Sequence, residues 1–177
     1  MSKLMDGNQV ERAIDRLYEA VAAAIPRNTR VAVVGIRTRG LTIADRLANR
    51  LSTDRKLNVE RGALDITFYR DDLSRKRGAP IVRATEIDFD LDDTWLLLVD
   101  DVLQTGRSVR AALDALHDFG RPKVIRLAVL IDRGGRELPI AADFIGKSLN
   151  ADPDCRVQVR LKENDGEEGV YTVRKSD

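Results

Sequence analysis

Cysteine and histidine are almost missing from this chain: Cys155 and His117 each stand alone. One thiol makes no internal disulfide, and the pair is too small for a Cys/His zinc site, a usage that fits a reducing cytoplasm. Neither sign of charge dominates. Lys plus Arg number 30 against 29 for Asp plus Glu, for a net charge of +1, so the overall basic excess of a dedicated nucleic-acid binder is absent and only a local basic face is left open. Long apolar runs are missing too. The longest clusters fall at residues 31–34, 95–99 and 127–131, far short of the roughly 18 residues a spanning helix needs, and residues 1–9 lack the apolar core of a signal peptide. Aromatics are scarce at 5%, but 43% of the residues are hydrophobic and they come in separated clusters, unlike the depleted pattern of disorder. A chain of 177 residues can bury roughly 70% of its unfolded surface and is too short for two large domains, so one domain over 1–177 is expected.

The apolar positions Val10, Ala13, Ile14, Leu17, Val21 and Ile25 follow three-four spacing, which predicts an amphipathic helix ended by Pro26. Residues 31–36 form a β-branched run that reads as a buried strand, and Leu41, Ala44, Leu47, Ala48 and Leu51 return to helical spacing. The order repeats: a strand at 95–99, a loop at 100–107, and a helix with Val109, Ala112, Leu113 and Leu116 on its buried side, stopped by Gly120 and Pro122. With a third run at 124–131, alternation of strand and helix predicts an α/β fold with a mostly parallel sheet and right-handed crossovers. A strand is expected at 59–68, then an exposed charged loop or flap at about 69–80. The chain reads as irregular after Gly146, with a C-terminal hairpin at about 155–174 turning at Asn164, Asp165 and Gly166.

Chemistry concentrates at residues 96–108, where an apolar strand ends in Asp100 and Asp101 and runs through Val102, Leu103, Gln104, Thr105, Gly106, Arg107 and Ser108 into a helix. Open α/β sheets bind ligands beyond the carboxyl ends of their strands, and adjacent acids there accept hydrogen bonds from vicinal hydroxyls such as those of a ribose. Free N–H groups at the helix start, the Thr105 and Ser108 hydroxyls and the backbone access given by Gly106 make a phosphate seat. The plainer alternative is a helix capped by Thr105 or Ser108, with solvated acids. A second loop, Gly35 to Gly40, holds Arg37, Thr38 and Arg39. Its two glycines are spaced as in a P-loop, but Leu41 and Thr42 follow where Lys and Ser/Thr are required, so it is no triphosphatase signature. Its arginines and backbone amides suit a pyrophosphate.

These residues resemble the type I phosphoribosyltransferases and, within them, the PyrR family. The general motif is seen at residues 99–108; the PyrR-like character extends to 34–40, 64–73 and 127–147, and the likeness spans about residues 9–162. The resemblance implies a central mostly parallel sheet flanked by helices, a small hood covering the base and a flexible flap. It implies transfer of a phosphoribosyl group from 5-phosphoribosyl 1-diphosphate (PRPP) to uracil, giving UMP and diphosphate, with Mg2+ bound through the diphosphate and ribose oxygens near Asp100 and Asp101. Arg37, Thr38, Arg39 and Gly40 are then expected at the diphosphate, Asp100 and Asp101 at the ribose, and residues 102–108 around the 5-phosphate. Arg70 and Lys76 become cationic contacts from the flap, and Arg133 a neighbour of the base. Purine or orotate transfer is the sister alternative, separated by the base pocket.

The same family binds leader RNA of a pyrimidine operon in a UMP-dependent way and attenuates transcription, so a regulator with little catalysis is a second reading. Arg12 and Arg16, one turn apart, and likewise Arg46 and Arg50, present basic stripes to phosphates or simply solvated faces; Arg136 and Lys147 are further RNA candidates. Gly135 and Ala141 stand where RNA-binding members commonly carry His and Arg, and Gln104 where Tyr is common. The resemblance also implies a homo-oligomer, a dimer or larger. His117, Cys155 and Trp95 read as boundary, filler and packing residues.

Overall fold

A computed structural model describes residues 1–70 and 84–174; most of the expected flap, including Lys76, lies outside those residues. Strand β1 spans Ser2–Met5, followed by α1 (Gly7–Ala24), β2 (Val31–Ile36), α2 (Arg39–Asp54), β3 (Val59–Leu64), β4 (Trp95–Leu103), α3 (Arg107–Leu116), β5 (Val124–Asp132), β6 (Phe144–Ser148), β7 (Cys155–Arg160), α4 (Lys162–Asp165) and β8 (Gly169–Arg174). Five strands form one parallel sheet in the order β3-β2-β4-β5-β6, and β1-β8-β7 form a separate antiparallel sheet. This is the expected α/β class, with the small second sheet standing as the hood.

The period of two in the central strands divides the core. Val31, Val33, Leu97 and Val99 face α1 and α2, whereas Ala32, Val34, Leu96 and Leu98 face α3, so β2 and β4 are covered on both sides and read as continuous apolar runs. Helix α1 starts at a capping box: Asp6 accepts from the Gln9 amide at 2.8 Å while the Gln9 side chain accepts from the Asp6 amide at 2.9 Å. No helix among the described residues is long and apolar enough to cross a membrane.

Several expectations are corrected. Strand β4 does not stop at Val99; Asp100, Val102 and Leu103 stay paired with Val129, Ile131 and Asp132 of β5, because ladder hydrogen bonds belong to the backbone and tolerate polar side chains at a strand end. Strand β3 ends at Leu64 instead of Phe68, since Asp65 accepts from the Thr67 amide and draws the chain into a short turn over Thr67–Tyr69. Leu113 is 38% exposed, and Ala111 and Ala115 complete the buried side of α3 instead. β6 lies partly in the stretch read as irregular and β1 in a stretch given no element, while the C-terminal hairpin forms as expected with α4 inserted in its turn.

Candidate functional site

The sheet brings Asp100 and Asp101 to the carboxyl end of its middle strand. Asp100 is 7% exposed and Asp101 is half-buried. One Asp100 oxygen accepts from the Asp101 amide at 2.9 Å, and one Asp101 oxygen from the Val102 amide at 2.8 Å. Burial pushes the Asp100 carboxyl well above the usual range and the neighbouring Asp101 charge pushes it further; Arg70 pulls the other way. Burial also raises Asp101, against the opposing pull of Arg39. Two adjacent acids, one of them buried, are disposed to take up positive charge or hydroxyl donors.

Immediately after β4 the chain turns through Gln104, Thr105 and Gly106. Gly106 has φ +92° and is the N-cap of α3, and a Cβ there would lie 3.3 Å from Ile140, so both conformation and space call for glycine. Neither Thr105 nor Ser108 is the N-cap, which corrects the plain capping alternative; the Thr105 hydroxyl accepts from the Arg107 amide, at 3.3 Å. A glycine cap brings no side chain to the first-turn amides, which suits an anion. The Thr105 carbonyl accepts from the Glu137 and Leu138 amides, each at 3.1 Å, fastening the turn to the segment after β5.

Two neighbouring cavities meet over the acid pair. The first, about 450 Å³, is bordered by Thr105, Gly106, Arg107 and Ser108 on one side and by Glu137, Arg156 and Val157 on the other; Leu103 and Gln104 also border it. The second, about 390 Å³, is bordered by Arg37, Thr38, Asp65, Thr67 and Asp101. Arg70, Asp100, Val102 and Ser108 border both. A ligand with an anionic group at each end and a polyol between them fits this layout.

The loop after β2 departs from expectation. Arg37 points along the second cavity, donates to the Ala84 carbonyl at 3.0 Å and pairs with Glu86 at 2.7 Å; the Arg37–Thr38 peptide bond is cis. Arg39 does not border that cavity and grips Asp165 with two bonds, Nε at 3.0 Å and Nη2 at 2.5 Å. Packing requires both glycines. A Cβ on Gly35 would sit 2.3 Å from Leu41 Cα, and one on Gly40 would sit 2.6 Å from the Val99 carbonyl oxygen, so both let the start of α2 lie against β2 and β4.

Beyond the loop, Arg133 is 6% exposed and borders neither of the two cavities. Its Nη1 donates to the Cys155 carbonyl at 2.7 Å and its Nη2 to the Asp152 carbonyl at 3.3 Å, tying β5 to the start of β7. The residues that β7 contributes to the first cavity are Arg156 and Val157, which sequence reasoning missed; the alternation of β7 was the available signal, but nothing local said what it faces. Leu103 is buried in the α3 side of the core, so its share of the cavity wall is small.

Among the basic candidates, Arg12 and Lys147 are exposed. Arg16 reaches from α1 to the Gly146 carbonyl at 3.1 Å, which brings it beside Lys147. Arg136 does not join them: it donates to the Ile140 carbonyl at 2.8 Å, the Gln104 carbonyl at 2.9 Å and Asp132 at 2.6 Å, and so acts as a brace for the turn after β4. The α2 stripe is neutralised, Arg46 by Glu163 and Glu168 and Arg50 by Asp15. Trp95 is buried as a packing residue, and Cys155 is a free, half-buried thiol.

Residues 1–163 match the family model described as phosphoribosyl transferase domain. A protein of Roseiflexus sp. (strain RS-1) named bifunctional protein PyrR is 51% identical over 173 residues, covering 97% of this chain and 94% of that protein. The protein of the same name from Deinococcus radiodurans is 49% identical over 163 residues, 92% of this chain and 89% of that one. In fold, the chain is similar to the hypoxanthine phosphoribosyltransferase of Trypanosoma cruzi, with a TM-score of 0.72 at 14% identity over 99% of this chain and 98% of that chain. A purine phosphoribosyltransferase from Pyrococcus horikoshii gives a TM-score of 0.60 at 27% identity, over 80% and 83% of the two chains.

Proposed function

The chain belongs to the PyrR family of phosphoribosyltransferases, and on that premise we propose that it transfers the phosphoribosyl group of PRPP to uracil, giving UMP and diphosphate, and that UMP in turn governs its binding to leader RNA. The observation that carries the reading is the buried Asp100 and Asp101 pair at the junction of two cavities, beside a glycine-capped helix start. In this reading residues 1–177 act as one phosphoribosyltransferase domain.

During transfer the bond from ribose C1 to the diphosphate oxygen breaks, its electron pair leaving with the diphosphate, and a bond from C1 to uracil nitrogen forms, the nitrogen's proton passing to solvent. Positive charge develops on the sugar and negative charge on the leaving group, so preorganised charges supply most of the acceleration. Asp100 and Asp101 accept from the ribose hydroxyls and set a negative potential beside the cationic sugar. Thr105, Gly106, Arg107 and Ser108 hold the 5-phosphate with amides, hydroxyls and the dipole of α3. Arg37 and Thr38 hold the diphosphate, with Arg70 between the two cavities and Arg39 following Thr38 at the start of α2. Gripping both ends of PRPP fixes C1 for attack. Uracil lies toward Val157 and Arg156, on the side of the first cavity that the hood supplies.

A divalent cation suits this donor set as a guest of the substrate. Among the described residues no three His, Cys, Asp or Glu side chains gather as a cage, while the paired acids offer only the hard oxygen donors that magnesium prefers. When bound with PRPP, Mg2+ screens the charge of the diphosphate.

For RNA, the face formed by Arg12, Arg16 and Lys147 offers phosphate contacts. The protein is placed in the cytoplasm, as a homo-oligomer. The deciding experiment is UMP formation from uracil and PRPP with magnesium, with hypoxanthine, guanine and orotate run alongside. Turnover with uracil alone is expected. Turnover with another base instead overturns the assignment of substrate, and UMP-dependent RNA binding without any turnover favours the regulator.

A further inference from the structure

Helix α2 presents Arg39, Thr42 and Arg46 on one side, at the three-four spacing that stacks side chains along a helix. All three meet the turn between β7 and β8. Arg39 grips Asp165, the Thr42 hydroxyl donates to Asn164 at 2.7 Å, and Arg46 binds Glu163 at 2.6 and 2.9 Å and Glu168 at 2.6 Å. The hood is thereby strapped to the helix that starts at the diphosphate loop. We propose that Asp165 is a positioning residue for transfer: by holding the Arg39 guanidinium it sets that cation and the start of α2 for the diphosphate. This rests on the reading of the site as one that binds PRPP.

The geometry separates Asp165 from its acidic neighbours. Its Oδ1 accepts from Arg39 Nη2, and its Oδ2 accepts from both Arg39 Nε and the Leu161 amide, the latter at 2.9 Å, so the carboxylate is itself held by the backbone of the turn. Arg39 is the first residue of α2, directly after Thr38 of the second cavity. The grip uses the Nε–H and one Nη2–H. Among the described residues, both Nη1 hydrogens and the second Nη2 hydrogen are left for another acceptor, at the helix end whose dipole favours anions. Asp101 acts electrostatically on the same guanidinium, so the charge of Arg39 is set by a fixed carboxylate of the hood and felt by the acid pair of β4. The carboxylates of Glu163 and Glu168 both bind Arg46, two turns further along α2, and act as plain fasteners. Glu167, in the same acidic turn, faces away from α2 and binds Arg160 and Tyr171.

Steady-state kinetics on the full chain test the idea. In Asp165→Asn the KM for PRPP is expected to rise about tenfold, the scale of losing a charge-assisted orienting bond, and inhibition by inorganic pyrophosphate to weaken in parallel. The KM for uracil is expected to stay within twofold. Glu167→Gln, which removes an equal charge from the same turn, is expected to leave both KM values within twofold. KM does not depend on how much of a preparation is folded, so a loss of structure alone lowers the rate without producing this split. An unchanged KM for PRPP in Asp165→Asn overturns the proposal. So does a tighter one, the result if Asp165 merely competes with the diphosphate for Arg39, and so does an equal rise in Glu167→Gln. Wild-type protein that turns over no base and shows no calorimetric PRPP binding refutes the PRPP reading itself and takes the proposal with it; normal wild-type turnover with an unaltered Asp165→Asn strikes only the proposal.

Discussion

Replacing Gly35 by alanine puts one methyl group at the most crowded backbone contact around the site. Its Cβ would lie 2.3 Å from Leu41 Cα, 2.7 Å from the Leu41 nitrogen and 2.8 Å from the Gly40 oxygen, against about 3.5–4.0 Å for comfortable carbon contacts. None of these neighbours is a side chain that can swing aside. Gly35 is also locked on both flanks, paired with Ala63 of β3 and Val99 of β4, so relief comes by moving the start of α2 outward by more than 1 Å, roughly the shortfall in contact distance. Overpacking of this kind costs about 3 kcal/mol, the upper part of its usual range, and lowers the melting temperature by roughly 6–12 °C in a domain of this size. Because the displaced segment carries Arg37, Thr38 and Arg39, a shift of that size also costs about 100-fold in kcat/KM. Urea denaturation followed by circular dichroism, together with the kinetics of UMP formation, measures both effects. Gly134→Ala is the control: its φ is +71° and nothing lies within 4 Å of the new Cβ, so only the left-handed conformation is penalised, by about 1–2 kcal/mol. Stability and kcat/KM of Gly35→Ala indistinguishable from wild type refute the close-approach argument.

Asp100→Asn should be slower in turnover by at least about 100-fold yet more heat-stable at pH 7. Burial raises the folded carboxyl above its unfolded value, so folding is penalised once pH exceeds the unfolded pKa. The gain in melting temperature over wild type therefore grows as pH rises through and above the ordinary carboxylate range and vanishes as pH falls toward about 4. Arg136→Ala should lose about 2–3 kcal/mol in urea titrations, since its bonds to the Ile140 and Gln104 carbonyls and to Asp132 are partly buried, and should raise the KM for PRPP by loosening the turn after β4. In filter binding with a pyrimidine-operon leader RNA and UMP, Arg12→Ala should weaken binding and reduce the salt slope by about 1. Arg50→Ala should leave RNA affinity unchanged, because its guanidinium is already paired with Asp15 and stacked on Tyr18.

Periodicity made the architecture readable because both faces of the central strands are covered. Residues 31–34, 95–99 and 127–131 had to be apolar throughout, and α1 had to show its stripe. β6 escaped for the converse reason: at the edge of the sheet its Ile145, Lys147 and Ser148 are exposed, so it carries little apolar signal. The acid pair was legible as chemistry but not as strand, since pairing with β5 leaves no trace in side-chain type. What could not be read were partners distant in sequence. The spacing of Arg46 and Arg50 was visible, whereas Glu163, Glu168 and Asp15, which neutralise them, lie 117, 122 and 35 positions away. Arg39 was expected at the diphosphate on the strength of its loop; the carboxylate that holds it comes from 126 residues further on.

The two proposed activities need a physical link, and the sheet supplies a short one. Leu103, at the end of β4, pairs with Asp132 of β5, which pairs with Ser148 of β6, next to Lys147. Arg136 spans the same row, joining the Gln104 carbonyl in the turn after β4 to the Asp132 carboxylate. A nucleotide whose phosphate orders residues 104–108 thus acts on a turn fastened to the strand beside the basic edge, where Arg16 of α1 reaches the Gly146 carbonyl. PRPP and UMP share that phosphate but differ at the base and diphosphate ends, so in the proposed reading both grip the turn while only UMP leaves the second cavity without a diphosphate. Discrimination between them by the RNA face therefore has to come from the loop after β2 and the hood, the two segments that Arg39 and Asp165 join.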